Sequence, residues 1–215
     1  MEADIDFIIR SRTTILEILE DRGYNVDSYK GVSPEDLHKL VTTSAGLLTI
    51  IAAKRPDGPA PKERAVVLYW VESAYRLRLE TEIMKLWDVE EPEHYNIASD
   101  ELIVIINEPF HEVFHLQSIK QWNTKKACIS FFQVKNLISN PSKHTFVPPH
   151  RKLIAPEVEE VIKTLHLNSK NELPHIKYHV DMQARVLGLV PGDIVEIQRP
   201  SETCGLYTLY RVCTA

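Results

Sequence analysis

The fold of this chain is decided near its end, where residues 185–205 read RVLGLVPGDIVEIQRPSETCG. A short helix is predicted to close on Gly188. Pro191 and Gly192 then form a turn, because proline presets φ and glycine accepts a positive φ. Residues 194–199 alternate between two faces, which predicts a half-buried β-strand.

A second predicted strand follows. The polar residues 200–205 end in glycine and reverse the chain, and residues 206–212 alternate again. Together the strands form a hairpin with one aromatic-rich face and no group suited to chemistry. In the first strand Ile194, Glu196 and Gln198 lie opposite Val195, Ile197 and Arg199, and in the second Leu206, Thr208, Tyr210 and Val212 lie opposite Tyr207, Leu209, Arg211 and Cys213.

The rest of the chain alternates predicted strands with predicted helices. Ser33 is expected to cap a helix that begins at Pro34. Alternating strands and helices favour an α/β domain, and residues 136–143, with Asn140-Pro141-Ser142, form the best linker. The sequence therefore predicts an α+β or α/β chain of two domains, residues 1–140 and 141–215. Helices are predicted over 4–22, 34–41, 72–87, after Pro109 and from Pro156, and strands over 47–53, 65–71, 102–106 and 127–134.

The composition is that of an ordinary globular protein, with 44% apolar and 26% charged residues among 215. The longest apolar runs are far short of a membrane span, and the acidic first residues do not resemble a secretory signal. We therefore expect no membrane association and no secretion. The three cysteines are an odd number without paired spacing, which favours free thiols in a reducing compartment.

The net charge of −5 is unevenly distributed. From Lys143 onward nine Lys and Arg face eight Asp and Glu, which gives +1, and the preceding part has sixteen against twenty-two, which gives −6. A protein that holds a DNA duplex alone usually carries a basic stripe, because phosphate neutralisation supplies much of the affinity. If this chain meets nucleic acid, other chains are expected to do most of the holding.

Several kinds of catalytic site are missing from the sequence. No Asp or Glu is followed two places later by Lys, as a metal-dependent nuclease of the common acid-x-Lys type requires, and no glycine-rich phosphate loop is present. His111 with His115, and His175 with His179, have a spacing that zinc ligands use, but no cysteine lies near either pair. We interpret these histidines as surface or hydrogen-bonded residues. No metal, cofactor or catalytic residue is predicted, and Cys204 is interpreted as a turn residue rather than a nucleophile.

The C-terminal third resembles a known family over its whole length. The family comprises the fifth subunit shared by eukaryotic RNA polymerases I, II and III, together with its smaller counterpart in archaeal RNA polymerase. Near the N-terminus, the segment EILEDRGY at 17–24 is also similar to the family's first helix and the turn after it. The C-terminal resemblance is carried by HTFVPPH at 144–150, LPHI at 173–176, GDIV at 192–195, SETCG at 201–205 and YRVC at 210–213.

The resemblance implies a non-catalytic subunit of DNA-directed RNA polymerase that takes part in transcription. Its C-terminal assembly domain would dock on the largest subunit beside neighbouring small subunits. Its N-terminal domain, a nuclease-like α/β jaw, would form part of the lower jaw near downstream duplex DNA. The expected DNA-proximal loop contains Asn107 and Pro109. The expected partner interface and its supports are His144, Val147, Pro148, His150, Arg199, Glu202, Tyr210 and Arg211.

A second hypothesis is a free-standing transcription adaptor or DNA-binding protein that reuses the assembly domain. Stoichiometric presence in purified polymerase would separate the two. The N-terminal part departs widely from the cellular pattern, which suggests a fast-evolving lineage such as a large DNA virus. The resemblance implies nuclear localisation for a cellular protein, and host cytoplasm and virion for a viral one. Neither hypothesis includes a small-molecule substrate.

Overall fold

A computed structural model describes residues 2–43, 45–56, 60–71, 75–88 and 94–215. The chain divides into two compact units, Met1–Asn140 and Pro141–Ala215, here called the N-terminal unit and the C-terminal unit. The N-terminal unit contains helices α1 (Glu2–Asp21), α2 (Pro34–Thr43), α3 (Tyr75–Leu86) and α4 (Glu112–Lys125), and strands β1 (Ile50–Ala53), β2 (Arg64–Trp70), β3 (Asp100–Ile106) and β4 (Cys128–Gln133).

The sheet of the N-terminal unit has the strand order β1-β2-β3-β4. β1 runs antiparallel to β2, whereas β2, β3 and β4 are parallel. Every residue of β3 is buried, as expected for a parallel strand covered on both faces. Helices α3 and α4 contribute Leu79, Ile83 and Phe114 to the core that covers one face.

Local sequence signals set the ends of the first two helices. Gly23 follows α1 with φ of 92°, and the Tyr24 N–H donates to the Leu19 carbonyl at 2.9 Å. A glycine in this conformation is a common helix stop because it carries no Cβ to clash. Ser33 Oγ accepts from the Asp36 N–H at 3.1 Å, which confirms the predicted cap of α2.

Two predicted elements of the N-terminal unit begin later than expected. Residues 45–48 form a 3-10 helix, so β1 starts only at Ile50. The Leu48 carbonyl is taken by Arg12 Nη1 at 2.7 Å, and the first strand pair to follow it is Ile50 with Val67. The helix predicted over 72–87 is described from Tyr75, because residues 72–74 lie outside the described part of the chain.

The C-terminal unit contains strands β5 (His150–Lys152), β6 (His175–Lys177), β7 (Ile194–Ser201) and β8 (Gly205–Thr214), and helices α5 (Ala155–Thr164) and α6 (Met182–Val186). Its sheet has the order β5-β7-β8-β6. β5 and β8 run antiparallel to β7, and β6 runs parallel to β8. The two mixed sheets and the helices confirm the predicted α+β class and the closing hairpin.

Strands β5 and β6 were not expected from the sequence. Each contains three residues, His-Arg-Lys and His-Ile-Lys, and such short polar segments have no alternation to detect. They are strands because the hairpin offers them free backbone edges. The Val212 N–H also donates to the Pro174 carbonyl at 2.9 Å, which continues the β6 edge.

The predicted reversal is a short loop. Ser201 pairs with Gly205, so residues 202–204 connect the strands, and Gly205 has φ of 74°. A positive φ at this point favours glycine over residues with a Cβ. No helix within the described ranges is long and apolar enough to cross a membrane.

Candidate partner interface

Burial in the hairpin β7–β8 changes along its length rather than between its faces. Near the base, both Ile194 and its neighbour Val195 are fully buried, although they point to opposite faces. From residue 198 to residue 207 no residue is buried. We call residues 198–207 the outer hairpin. The register confirms the predicted pairing of faces, but the expected half-buried strand and single aromatic-rich face are wrong.

The reason for this pattern is where the core of the C-terminal unit ends. Helix α5 packs its Val161 in one core with Ile194 and Val212. On the opposite face Ile197 and Cys213 are buried as well. Beyond these positions the strands continue for several residues without cover within their own unit. The outer hairpin is therefore paired backbone carrying exposed side chains on both faces.

Three of the predicted interface residues lie in neighbouring rows across the sheet at this boundary. His150 pairs with Ile197, and Arg199 pairs with Tyr207. The Gln198 N–H donates to the Pro149 carbonyl at 3.0 Å, so the chain beside Pro148 follows the outer hairpin. His150 Nδ1 lies 2.6 Å from the Pro148 carbonyl, which holds this segment in place. Pro148, His150 and Arg199 are thus brought together by strand pairing.

Tyr210 supports this surface from inside. Its ring packs against the core of α5 and it pairs with Glu196 across the hairpin. Burial and the nearby Glu196 carboxylate raise the pKa of Tyr210, with Arg151 opposing them. Arg151 donates to Glu157 at 2.7 Å and to Glu196 at 2.5 Å, so α5, β5 and β7 share one ion-pair network.

Arg211 is also a support. Its Nη1 donates to the His175 carbonyl at 3.1 Å and ties β8 to β6. Its Nε is buried and has no hydrogen-bond partner in the described part of the chain. The guanidinium is therefore directed into the unit, and Arg211 is not part of an exposed surface.

The remaining predicted residues lie in turns. The Val147 N–H donates to the His144 carbonyl at 2.9 Å, and the Phe146 N–H donates to His144 Nδ1 at 3.3 Å. His144 and Val147 therefore shape a turn before β5. Glu202 is exposed in the loop of the hairpin.

Three exposed apolar residues at these places were not among the predicted site residues. Phe146 is 89% exposed, Leu206 59% and Tyr207 53%. Exposed apolar side chains that adjoin one another are more informative than scattered ones, because they favour an interaction site. The sequence offered Leu206 and Tyr207 as strand residues, but only the end of the core shows that both are uncovered.

The predicted DNA-proximal loop follows β3 in the N-terminal unit. Asn107 is half-buried and Pro109 is exposed. Between them, Glu108 accepts a hydrogen bond from the Arg76 N–H at 3.1 Å, at the start of α3. A carboxylate at a helix N-terminus is stabilised by the unpaired N–H groups there. Glu108 is therefore occupied by a structural contact.

The acidic residues of β3 are also occupied. Glu101 accepts from Arg22 Nη1 at 2.5 Å and from the Tyr24 hydroxyl at 2.9 Å, and all three residues are buried. Burial, followed by Glu101, raises the pKa of Tyr24. Asp100 accepts two hydrogen bonds from Arg64, at 2.8 and 2.7 Å. Both carboxylates are neutralised by arginine, which is the arrangement of a structural ion pair.

No group of three or more residues suited to hold a metal occurs among the described residues. His111 caps α4 by accepting from the Val113 N–H at 3.4 Å, and the His115 ring packs on Phe110. His175 lies in β6, whereas His179 is buried with φ of 60°. Neither predicted histidine pair shares one helix face.

The cysteines are separate from one another in environment. Cys204 is exposed, and hydrogen bonds from Thr203 and Ser201 lower its pKa. Burial raises the pKa of Cys213 to about 12, so its thiol stays protonated. Within the part of the chain that the structure describes, the hydrogen bonds of Cys204 go to Thr203 and Ser201 and none goes to a histidine.

Comparison with known proteins gives consistent results. The family profile described as RNA polymerase Rpb5, C-terminal domain, matches residues 139–213. The chain is 29% identical over 211 residues to a subunit of DNA-directed RNA polymerases I, II and III from Dictyostelium discoideum, covering 98% of each chain. It is 27% identical to the Caenorhabditis elegans subunit, covering 94% of this chain and 93% of that one.

An archaeal relative extends the match. The chain is 41% identical over 73 residues to a DNA-directed RNA polymerase subunit, Rpo5, of Pyrococcus abyssi. That match covers 34% of this chain and 87% of the archaeal protein. The archaeal protein therefore corresponds to about one of the two units.

Proposed function

The chain belongs to the Rpb5 family of RNA polymerase subunits, and on that premise we propose that its C-terminal unit docks on the largest subunit of the polymerase through the outer hairpin. A member of this family is a non-catalytic subunit, and the process in which it takes part is transcription. The docking surface and the partner are the proposal.

The observation that carries this proposal is the abrupt end of burial in the hairpin. Strands of a small unit normally end where their core ends, because exposed apolar side chains gain nothing in water. Here β7 and β8 extend beyond the core and carry Leu206 and Tyr207, both more than half exposed. Tyrosine at the centre of an interface combines a large apolar surface with a polar tip. Such a surface suits a lasting protein contact.

Phe146 and the turn at His144 extend this surface. The segment before β5 follows the outer hairpin as far as Pro149, through the Gln198 hydrogen bond at 3.0 Å. Arg199 lies in the same rows and adds a charge that a partner carboxylate would neutralise. We propose that Phe146, Arg199, Leu206 and Tyr207 make the contact and that His150, Tyr210 and Arg211 support it.

For the N-terminal unit we propose a place in the lower jaw near downstream duplex DNA. Residues before Lys143 carry a net charge of −6, sixteen basic against twenty-two acidic. Such a surface repels phosphates, so this unit would shape a channel rather than hold DNA. Asn107 and Pro109 remain the proposed DNA-proximal residues. Glu108 is engaged with α3, which reduces its effect on a passing phosphate.

The test is assembly of tagged polymerase with variant chains. We expect Tyr207→Asp and Arg199→Glu to reduce the amount of this chain that co-purifies with the largest subunit by about tenfold or more, since a loss of about 1.4 kcal/mol already gives that factor. The matched control is Val180→Asp, which alters an apolar side chain of the same unit that is 52% exposed but outside the outer hairpin.

Unchanged co-purification of both variants would contradict the proposed surface. Absence of the unaltered chain from purified polymerase would favour the alternative, a free-standing adaptor or DNA-binding protein. A polymerase subunit works where its polymerase transcribes. The proposal therefore implies the nucleus for a cellular protein, and host cytoplasm and virion for a virus-encoded one.

A further inference from the structure

A groove in the N-terminal unit contains a buried cation that no carboxylate among the described residues neutralises. The groove has a volume of about 230 Å³ and lies between α1, residues 29–32 and α2. Leu16, Val32 and Leu37 supply its apolar lining. Arg12 of α1 lines it as well and is only 6% exposed.

Arg12 has few partners for a buried charge. Its Nη1 donates to the Leu48 carbonyl at 2.7 Å, and its Cζ lies 5.8 Å from the centre of the Tyr29 ring. Its Nε is buried without a hydrogen-bond partner within the described ranges. Burial lowers the pKa of Arg12, with Tyr69 and Tyr29 opposing this only in part. Buried guanidinium groups are normally paired with carboxylates, because an unpaired buried charge is costly.

The two glutamates at the rim of the groove do not supply that pairing. Glu20 is held by Lys30 at 2.8 Å and by Arg55 at 3.0 Å. Glu17 accepts a hydrogen bond from the Asn140 side chain at 3.2 Å. The rim charges are thus engaged with other residues, and Arg12 is left as the unbalanced charge of the groove.

The size of the groove indicates what it accepts. Sites for small molecules usually measure about 300–1,000 Å³, so this groove is better suited to one or two side chains. We propose that it receives a segment of a partner protein in which an apolar side chain stands next to an Asp or Glu. The apolar side chain would lie against Leu16, Val32 and Leu37, and the carboxylate would pair with Arg12. This docking site is separate from the outer hairpin and does not depend on that proposal.

Two matched peptides test the proposal by NMR titration of the isotopically labelled full chain. One acetylated and amidated peptide alternates leucine with aspartate, and the other has asparagine in place of aspartate. We expect the aspartate peptide to shift the amide signals of α1 and residues 29–32, and to bind about tenfold more tightly than its partner. A hydrogen bond between charged groups is worth about 1.5–3 kcal/mol, which corresponds to at least this factor.

Variants identify the group responsible. Arg12→Met keeps the apolar stem and should remove the preference for aspartate. Arg10→Met is the control, because Arg10 lies on the same helix but is exposed and paired with Asp6 at 3.0 Å. Val32→Glu changes a side chain at the rim that is 38% exposed, and its carboxylate should abolish the preference without unfolding the chain. This second variant keeps the test valid if Arg12→Met does not fold.

Three results would overturn the proposal. The first is equal affinity of wild type for both peptides. The second is an unchanged preference for aspartate in Val32→Glu, or in a folded Arg12→Met. The third is that sodium acetate alone produces the same shifts at the same concentration, which would make the groove a simple anion site. All of these are measured on the isolated chain, so they are independent of polymerase assembly.

Discussion

The two sheets differ in how completely their own unit covers them. In the N-terminal unit every residue of β3 is buried, and its two carboxylates are paired with arginines. In the C-terminal unit the hairpin is buried at Ile194 and Val195 but exposed from residue 198 to residue 207. A parallel strand requires cover on both faces, whereas an antiparallel hairpin can extend beyond its core. The comparison shows that a surface needing another chain can be located where burial stops along a strand.

Breaking the buried ion pair of the N-terminal sheet should have the largest effect. Glu101→Ala leaves the Arg22 guanidinium buried without its carboxylate, and removal of one partner of such a pair costs about 3–5 kcal/mol. We expect the free energy of unfolding of the N-terminal unit to fall by this amount in urea titration. The control is Glu80→Ala, whose pair with Lys120 at 2.6 Å is exposed and worth at most about 1 kcal/mol. Equal losses in the two variants would contradict the distinction.

The base of the hairpin should come next. Ile194 is fully buried against Val161 and Val212, so Ile194→Ala removes apolar contacts and leaves a cavity. We expect the C-terminal unit to lose about 2–5 kcal/mol of unfolding free energy in denaturant titration. A loss below about 1 kcal/mol would show that the base is not the core of this unit.

Acid should weaken the N-terminal sheet through Asp100. Burial raises the pKa of Asp100, but hydrogen bonds from Arg64, the Asn96 N–H and Ser99 outweigh it, so the folded pKa lies below the ordinary value of 3.8. A lowered folded pKa means that the stabilisation is complete above the unfolded pKa and is lost as pH falls through the folded pKa. We expect a loss of about 1–3 kcal/mol on acidification.

The measurement is the urea midpoint of the N-terminal unit between about pH 6 and about pH 2, which brackets the titration of an aspartate. Asp100→Asn should have a lower midpoint at the upper end of this range and a flatter dependence on pH than wild type. Asp21→Asn changes an exposed aspartate outside the sheet and serves as the control. The interpretation fails if Asp100→Asn keeps the wild-type slope.

The smallest effect is expected in the outer hairpin. Leu206→Ala changes a side chain that is 59% exposed, so the unfolding free energy of the isolated chain should change by no more than about 0.5 kcal/mol. The same variant should still weaken polymerase assembly, which a pull-down of the complex measures. A large loss of stability with normal assembly would reverse the roles of base and outer hairpin.

Much of the fold could be predicted because its signals are local. The apolar spacing of α1, the glycine after it and the serine before Pro34 each act within a few residues, and the described helices follow them. Strand β3 was predicted because it is continuously apolar. Strands β5 and β6 could not be predicted, since their three residues form strands only by pairing with β7 and β8.

The candidate site was predictable only in part. The resemblance named Arg199 and Pro148, which strand pairing brings into neighbouring rows. It also named Tyr210 and Arg211, which are directed into the unit and act as supports. Phe146, Leu206 and Tyr207 were missed, because nothing in the letters shows that the core ends before them.

The sequence by itself determined the family, the alternation of the hairpin strands and the two faces of each strand, because these depend on residue order and on the fixed period of a strand. Only the tertiary structure decided which part of the hairpin is buried, since that depends on how far α5 reaches along β7 and β8. It also decided that Glu101 is neutralised by Arg22, 79 positions away, while Arg12 is paired with no carboxylate among the described residues. Charge pairing between distant residues is a property of the folded chain, because only folding brings such groups within reach.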